Sequence, residues 1–200
     1  ILLNTVSPRF PNGLANSSGT LGHYLMDHFE LIVKGLLPSL RGRSLRADDS
    51  RPNGIYIPRM QNLTNRHPKF IRGYGFQGGT GRGRFPGHAP GVPGFGPSFK
   101  KMVREDSPMP VVLGGFGEML PRYENYVEID NQKMDAWGVP VLRVHCSHSD
   151  NENSMATSII ETAKEILTTA GAEIQHVTSA PTPPGLAIHE CGTTRMGMDP

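Results

Sequence analysis

One segment of this sequence has the periodicity of a long helix, and it limits what the rest can form. Across residues 151–170 the apolar positions recur every three or four residues, so they share one helical face. That face comprises Met155, Ile159, Ala163, Ile166, Leu167 and Ala170. Ser149 or Asp150 can cap the first turn, and Gly171 can end the helix in the left-handed conformation. We therefore predict one amphipathic helix that buries a single face.

Glycine and proline, with 24 and 18 residues, break the remaining chain into short pieces. Alternating or briefly apolar runs between these breaks predict strands at residues 29–33, 54–58, 69–76, 109–116, 125–130, 141–146 and 172–177. We expect turns at 130–131 and 137–140, a helical turn near 21–25 and a short helix over 97–105, with Phe99, Met102 and Val103 facing inward. These elements predict an α+β fold, in which an antiparallel sheet has flanking helices.

The stretch from Gly78 to Gly96 is the richest in glycine and proline, and we expect a long surface loop there. Residues 73–78 match G-x-G-x-x-G, but residues 79–86 cannot open the helix that a dinucleotide site needs, so the match is attributed to chance. Arg82 and Arg84 in the loop could instead follow phosphates on a nucleic acid. Acidic residues return soon afterwards, which favours a solvated loop.

Charge and composition exclude several classes of protein. The formal net charge is +2, too near neutral to imply a polyanionic partner, and no apolar run approaches the length of a membrane span. Two cysteines do not make a disulfide framework. His145, Cys146 and His148 are close in sequence, but strand alternation sends the first two to opposite faces, so we predict no metal site. The first residue is Ile1 and the last motif runs into Pro200, which indicates a piece of a longer protein.

The final segment, residues 188–197, concentrates groups suited to catalysis. His189 follows an apolar lead-in that we expect to be a strand, and a histidine at a strand end can act as a general base near neutral pH. Gly192 and Gly197 would let the backbone approach a flat ligand closely.

The sequence His189-Glu-Cys-Gly-Thr-Thr-Arg-Met-Gly197 resembles the H-x-x-G-T motif of the glucose–methanol–choline (GMC) oxidoreductases, and is most similar to their bacterial sugar-oxidising branch. In residues 12–28, Gly22 and Asp27-His28 fit that branch's G-x-x-L-x-D-H pattern. Residues 135–141 and 149–152 are similar to its substrate domain.

The resemblance implies a substrate-binding antiparallel sheet and the edges of a divided FAD-binding domain. Residues 1–28 would leave the FAD domain, 29–185 would form the substrate domain with its loop 78–96, and 186–200 would begin the part that contacts FAD. His189 would be the catalytic base that takes a hydroxyl proton while a hydride passes from the same carbon to flavin N5. Gly192 and Thr193 would line the flavin, and the substrate would be a sugar or alcohol.

The family's nucleotide-binding motif and its second catalytic residue are missing from these 200 residues, so we expect this chain alone neither to hold FAD firmly nor to turn over. The electron acceptor (oxygen, a quinone or a cytochrome subunit) and a cytoplasmic or periplasmic location stay open. The alternative is a non-catalytic module that binds nucleic acid or a partner through its Arg/Gly-rich loop; a decayed, inactive gene product is a third possibility. If the chain belongs to an oxidoreductase, we expect no nucleic-acid partner.

Overall fold

The structure is a computed structural model that describes residues 1–40, 54–59, 61–80, 94–101 and 109–196. The chain divides into two compact units. Unit 1 comprises Ile1–Phe29, Glu118–Asn153 and Thr182–Pro200, and unit 2 comprises Glu30–Gly117 and Ser154–Pro181. Each unit is therefore assembled from segments that are distant in sequence. The domain roles expected from the sequence stay predictions.

Unit 2 is built on a five-stranded sheet. Its strands are β1 (His28–Leu37), β2 (Gly54–Ile57), β3 (Tyr74–Thr80), β4 (Met109–Glu118) and, last along the chain, β7 (Glu173–Val177). Their order across the sheet is β2-β3-β4-β1-β7, and the pairs β2–β3, β3–β4 and β1–β7 are antiparallel. The predicted α+β class with an antiparallel sheet is confirmed.

The core of unit 2 lies between this sheet and a long helix. A short helix, α1 (Gly96–Lys101), precedes β4, and the long helix, α2 (Asp150–Thr169), precedes β7. Phe76, Leu113 and Ile159 are almost completely buried. The Tyr74 hydroxyl is within 2.9 Å of the hydroxyls of Ser158 and Thr162 on α2, so the polar end of this buried side chain is satisfied.

The ends of α2 follow local rules. Ser149 caps the first turn, because its Oγ accepts from the Asn151 N–H at 3.3 Å while the Glu152 carboxylate accepts from the Ser149 N–H at 2.7 Å. At the other end, Gly171 has a φ of +82°, and the N–H of Ala172 donates to the Leu167 carbonyl at 2.9 Å. The predicted cap at Ser149 and stop at Gly171 are confirmed.

Unit 1 contains a β-hairpin of β5 (Tyr126–Met134) and β6 (Pro140–His145). Asp135 closes its turn by accepting from the N–H groups of Trp137 and Val139, both at 2.9 Å. Short 3-10 turns occur at Leu2–Asn4 in unit 1 and Pro38–Leu40 in unit 2. Neither described helix combines the length and hydropathy that crossing a membrane requires.

Several local predictions are wrong. The helical turn near 21–25 is instead an irregular segment with positive φ at Gly22 and Tyr24, in which His23 forms a bridge with Tyr126 and Met26 one with Cys191. Asp130-Asn131 is not a turn, since β5 runs on to Met134. On the inner face of α2, Ile166 is only half-buried and Ala170 is exposed.

The strand predicted over 69–76 begins later, at Tyr74, and includes Gly78 and Gly79 of the expected loop. Glycine is required here, because a Cβ at Gly78 would lie 2.0 Å from the Val112 carbonyl oxygen of the neighbouring strand. The G-x-G-x-x-G match thus lies mostly within a sheet strand. Residues 81–93 of that loop, with Arg82 and Arg84, and the positions Met102 and Val103 lie outside the described residues. Phe99 is half-buried.

Candidate functional site

The segment that carries His189 is attached to unit 1 through residues 22–26. Met26 and Cys191 exchange two backbone hydrogen bonds of 2.8 and 2.9 Å, and the Gly22 N–H donates to the Thr193 carbonyl at 2.8 Å. On its other edge the same segment pairs with the hairpin, since the Val127 N–H donates to the Gly22 carbonyl at 2.8 Å. Residues 22–26 therefore connect the motif of residues 189–195 to the β5–β6 hairpin.

Asp27 holds the chain that leads into His189. Its carboxylate is only 5% exposed. Oδ1 accepts from the backbone N–H groups of His28 at 2.7 Å and His189 at 3.2 Å. Oδ2 accepts from those of Gly185 at 3.0 Å and Ala187 at 3.2 Å. One buried carboxylate thus fixes residues 185–189 by their main chain.

These contacts also keep Asp27 ionised. Burial alone would raise the pKa of its carboxyl, but the N–H donors of His28, Gly185, His189 and Ala187 outweigh burial and lower the pKa below its ordinary value.

His189 lies next to a second imidazole. The rings of His28 and His189 meet edge to face, with centroids 4.9 Å apart and an interplanar angle of 76°. His189 is exposed and His28 half-buried. Neither nitrogen of the His189 ring has a hydrogen-bond partner among the described residues, so the ring is free to meet a ligand. Imidazole nitrogens can accept and donate protons, so this pair is suited to proton transfer.

The expected strand end at His189 is wrong. Residues 184–188 form turns and bends, and Ile188 has a φ of +64°, which is rare for a β-branched residue. Such a conformation persists only where the surroundings impose it, and the Asp27 hydrogen bonds on both sides of Ile188 do so.

The two residues predicted to line a cofactor lie three and four positions after His189. Gly192 is needed by the fold itself, because its φ is +97° and a Cβ there would lie 2.0 Å from the Tyr24 carbonyl oxygen. Thr193 and Thr194 line an apolar cleft of ≈ 260 Å³ with Leu3, Leu21 and other residues of unit 1. Within the described ranges, the N–H groups of Gly192, Thr193 and Thr194 donate no hydrogen bond. Their role toward a cofactor stays a prediction.

Among the residues considered for a metal, His145 is committed to another partner. His145 Nε2 lies 2.9 Å from the Glu128 carboxylate, and its ring stacks on Tyr126. Both Cys146 and Cys191 are free thiols. In the part of the chain that the structure describes, no three His, Cys, Asp or Glu side chains are grouped so that they could hold a metal ion.

Asp27 was assigned no role from the sequence, although a signal was available. Leu25 and Phe29 are buried and alternate with half-buried residues, so Asp27 occupies an inward position of an extended segment. A carboxylate at an inward position needs hydrogen-bond donors, so its position predicts a structural role. Glu152 was missed in the same way: it is fully buried and is the acidic member of the Ser149 capping box.

Comparison with known proteins identifies an informative relative. The chain is 28% identical over 204 residues to the 2-methyl-1,2-propanediol dehydrogenase of Mycolicibacterium austroafricanum. That alignment covers 100% of this chain but 36% of the relative, so the chain spans about a third of the dehydrogenase's length. No protein-family model matches the chain. The relative's name is that of an oxidoreductase that acts on an alcohol.

Proposed function

We propose that the protein containing this chain is an FAD-dependent oxidoreductase of the GMC type that oxidises a CH–OH group of an alcohol or sugar. The observation that carries the proposal is the exposed His189 imidazole, whose backbone is fixed by the buried Asp27 and whose ring lies 4.9 Å from that of His28. The alcohol dehydrogenase relative supports the reaction class, and its diol substrate favours small alcohols as the first to test.

FAD is compatible with the residues after His189. A flavin ring presents carbonyl oxygens and ring nitrogens as acceptors, and the uncommitted N–H groups of Gly192, Thr193 and Thr194 are matching donors. Their side chains are small, so the backbone is accessible. When bound, FAD supplies the acceptor for the substrate hydride.

In this proposal the chain's own residues handle the proton. His189 accepts the hydroxyl proton of the substrate, because its exposed ring has no hydrogen-bond partner among the described residues and an imidazole nitrogen can act as a general base. The His28 ring, 4.9 Å away, limits where the His189 ring can turn.

His189→Ala in the full-length natural protein tests this proposal. We expect flavin absorbance equal to that of the wild type, with anaerobic flavin reduction by substrate slowed by about 10²- to 10⁴-fold because a general base is lost. The substrates are 2-methyl-1,2-propanediol and a panel of monosaccharides. His176→Ala, at an exposed histidine on β7, is the matched control and should reduce at the wild-type rate.

Either of two results contradicts the proposal. If flavin in His189→Ala were reduced at the wild-type rate, His189 would not be the general base. If the purified wild-type protein had no flavin absorbance, FAD would not be its cofactor.

A further inference from the structure

The further inference concerns Asp27, whose geometry is unusual for a buried carboxylate. Within the described residues its hydrogen bonds all come from backbone N–H groups: those of His28, Gly185, Ala187 and His189. None of these four donors is a side chain, so the Asp27 carboxylate fixes the position of the backbone.

Three of its donors alternate along the chain, at positions 185, 187 and 189. Groups at alternate positions can converge on one carboxylate only if the chain between them curves around it. That curvature includes Ile188 in its left-handed conformation, directly before His189. The direction in which the His189 side chain leaves the backbone therefore depends on these hydrogen bonds.

A single atom links the two histidines. Oδ1 of Asp27 accepts from the backbone N–H groups of both His28 and His189, at 2.7 and 3.2 Å. The two residues are 161 positions apart in sequence (189 − 28), so nothing local fixes their separation. Their shared acceptor brings the two backbones together, and the rings then meet edge to face.

We propose that Asp27 is a positioning residue that holds the main chain at residues 185–189 and thereby places the His189 imidazole against that of His28. It touches neither substrate nor cofactor in this proposal, and its effect on the reaction passes through His189. The proposal rests on the proposed function of His189.

Asp27→Asn is the most discriminating change, since it preserves size while removing one acceptor. Whichever way the amide turns, its NH₂ group faces two backbone N–H donors, so two of the four hydrogen bonds are lost. Asp130→Asn is the matched control. Asp130 is also buried, at 6% exposure, and accepts from the Gln132 N–H and the Arg143 guanidinium on the β5–β6 hairpin.

Steady-state kinetics of the full-length protein separates positioning from general stability. For Asp27→Asn we expect kcat to fall about 10- to 100-fold while KM changes less than about threefold, because a misplaced base slows chemistry more than binding. Flavin content should stay at the wild-type level. Asp130→Asn should keep kcat within about twofold of the wild type. Equal kcat values in the two variants would overturn the proposal.

Hydrogen exchange of the wild-type protein tests the role of Asp27 without an activity assay and without relying on a folded variant. In the wild-type protein the amides of Ala187 and His189 should exchange slowly even though the side chain of His189 is exposed, because both amides donate to Asp27. In Asp27→Asn, exchange in peptide 185–189 should rise at least about tenfold. Fast exchange of these amides in the folded wild type would refute the positioning role directly.

The two proposals fail differently. If His189→Ala reduces flavin normally, the proposed function is wrong whatever Asp27 does. If His189→Ala is inactive while Asp27→Asn keeps both wild-type kcat and wild-type exchange, the reaction stands and the role of Asp27 does not.

Discussion

Gly192→Ala probes the tightest backbone contact beside the candidate site. The added Cβ would lie 2.0 Å from the Tyr24 carbonyl oxygen and 3.0 Å from its carbonyl carbon, well inside van der Waals contact. Both neighbours are backbone atoms, so no flexible side chain can move aside. We expect the two segments to separate locally and lose the paired hydrogen bonds between Met26 and Cys191.

The magnitude follows from two contributions. The φ of +97° is strained for alanine and costs about 1–3 kcal/mol. Losing two backbone hydrogen bonds, each worth about 0.5–1.5 kcal/mol, costs about 1–3 kcal/mol more. Gly138→Ala isolates the first contribution, because Gly138 has a φ of +77° with nothing within 4 Å of its missing Cβ.

Thermal unfolding of the full-length protein measures the difference. With about 2–4 °C per kcal/mol, the range for about 150–250 residues, an excess of about 2 kcal/mol lowers the Tm of Gly192→Ala about 4–8 °C further than that of Gly138→Ala. Equal shifts in the two variants would refute the close contact between Gly192 and Tyr24.

Two further changes test buried polar groups. Glu152→Gln should cost about 1–3 kcal/mol of unfolding free energy, since the buried side chain accepts from the Leu120 and Ser149 N–H groups. Burial alone would raise the pKa of Glu152, but these hydrogen bonds outweigh it and lower the pKa, so the wild type should lose this stability as the pH falls below about 4.3. Urea unfolding across pH 3–6 checks both points, and a variant with the wild type's full acid sensitivity would contradict them. Tyr74→Phe should cost about 0.5–1.5 kcal/mol because the Ser158 and Thr162 hydroxyls lose their shared partner. Tyr56→Phe, at a side chain that is 72% exposed, should stay within about 0.5 kcal/mol of the wild type, and equal urea midpoints for the two variants would contradict the buried contact.

Local signals predicted the regular elements well. The helix expected over 151–170 is Asp150–Thr169, and the strand expected over 172–177 is Glu173–Val177. Both are bounded by caps and turns encoded within a few residues, such as Ser149 and Gly171. By contrast, His23 and Met26 form bridges with Tyr126 and Cys191, which lie 103 (126 − 23) and 165 (191 − 26) positions away, and no nearby residue identifies these partners.

The candidate site shows the same division. His189 could be singled out from the sequence because its motif is contiguous. The hydrogen bonds of Asp27 to Gly185, Ala187 and His189 span 158 to 162 positions, and only folding brings those donors to the carboxylate. A carboxylate such as Asp27 at an inward position indicates that hydrogen-bond donors surround it, but it does not identify the residues that provide them.

The backbone hydrogen bonds of Asp27 determine which mutations residues 185–189 can tolerate. Because the carboxylate accepts only from backbone N–H groups, the exposed side chains of Leu186 and Ile188 can be exchanged without removing its hydrogen bonds to residues 185–189. Proline is the exception, since it has no N–H to donate at positions 185 and 187 and cannot adopt the φ of +64° at position 188. The exposed surface next to His189 can therefore vary in sequence while Asp27 keeps the backbone of this loop in place.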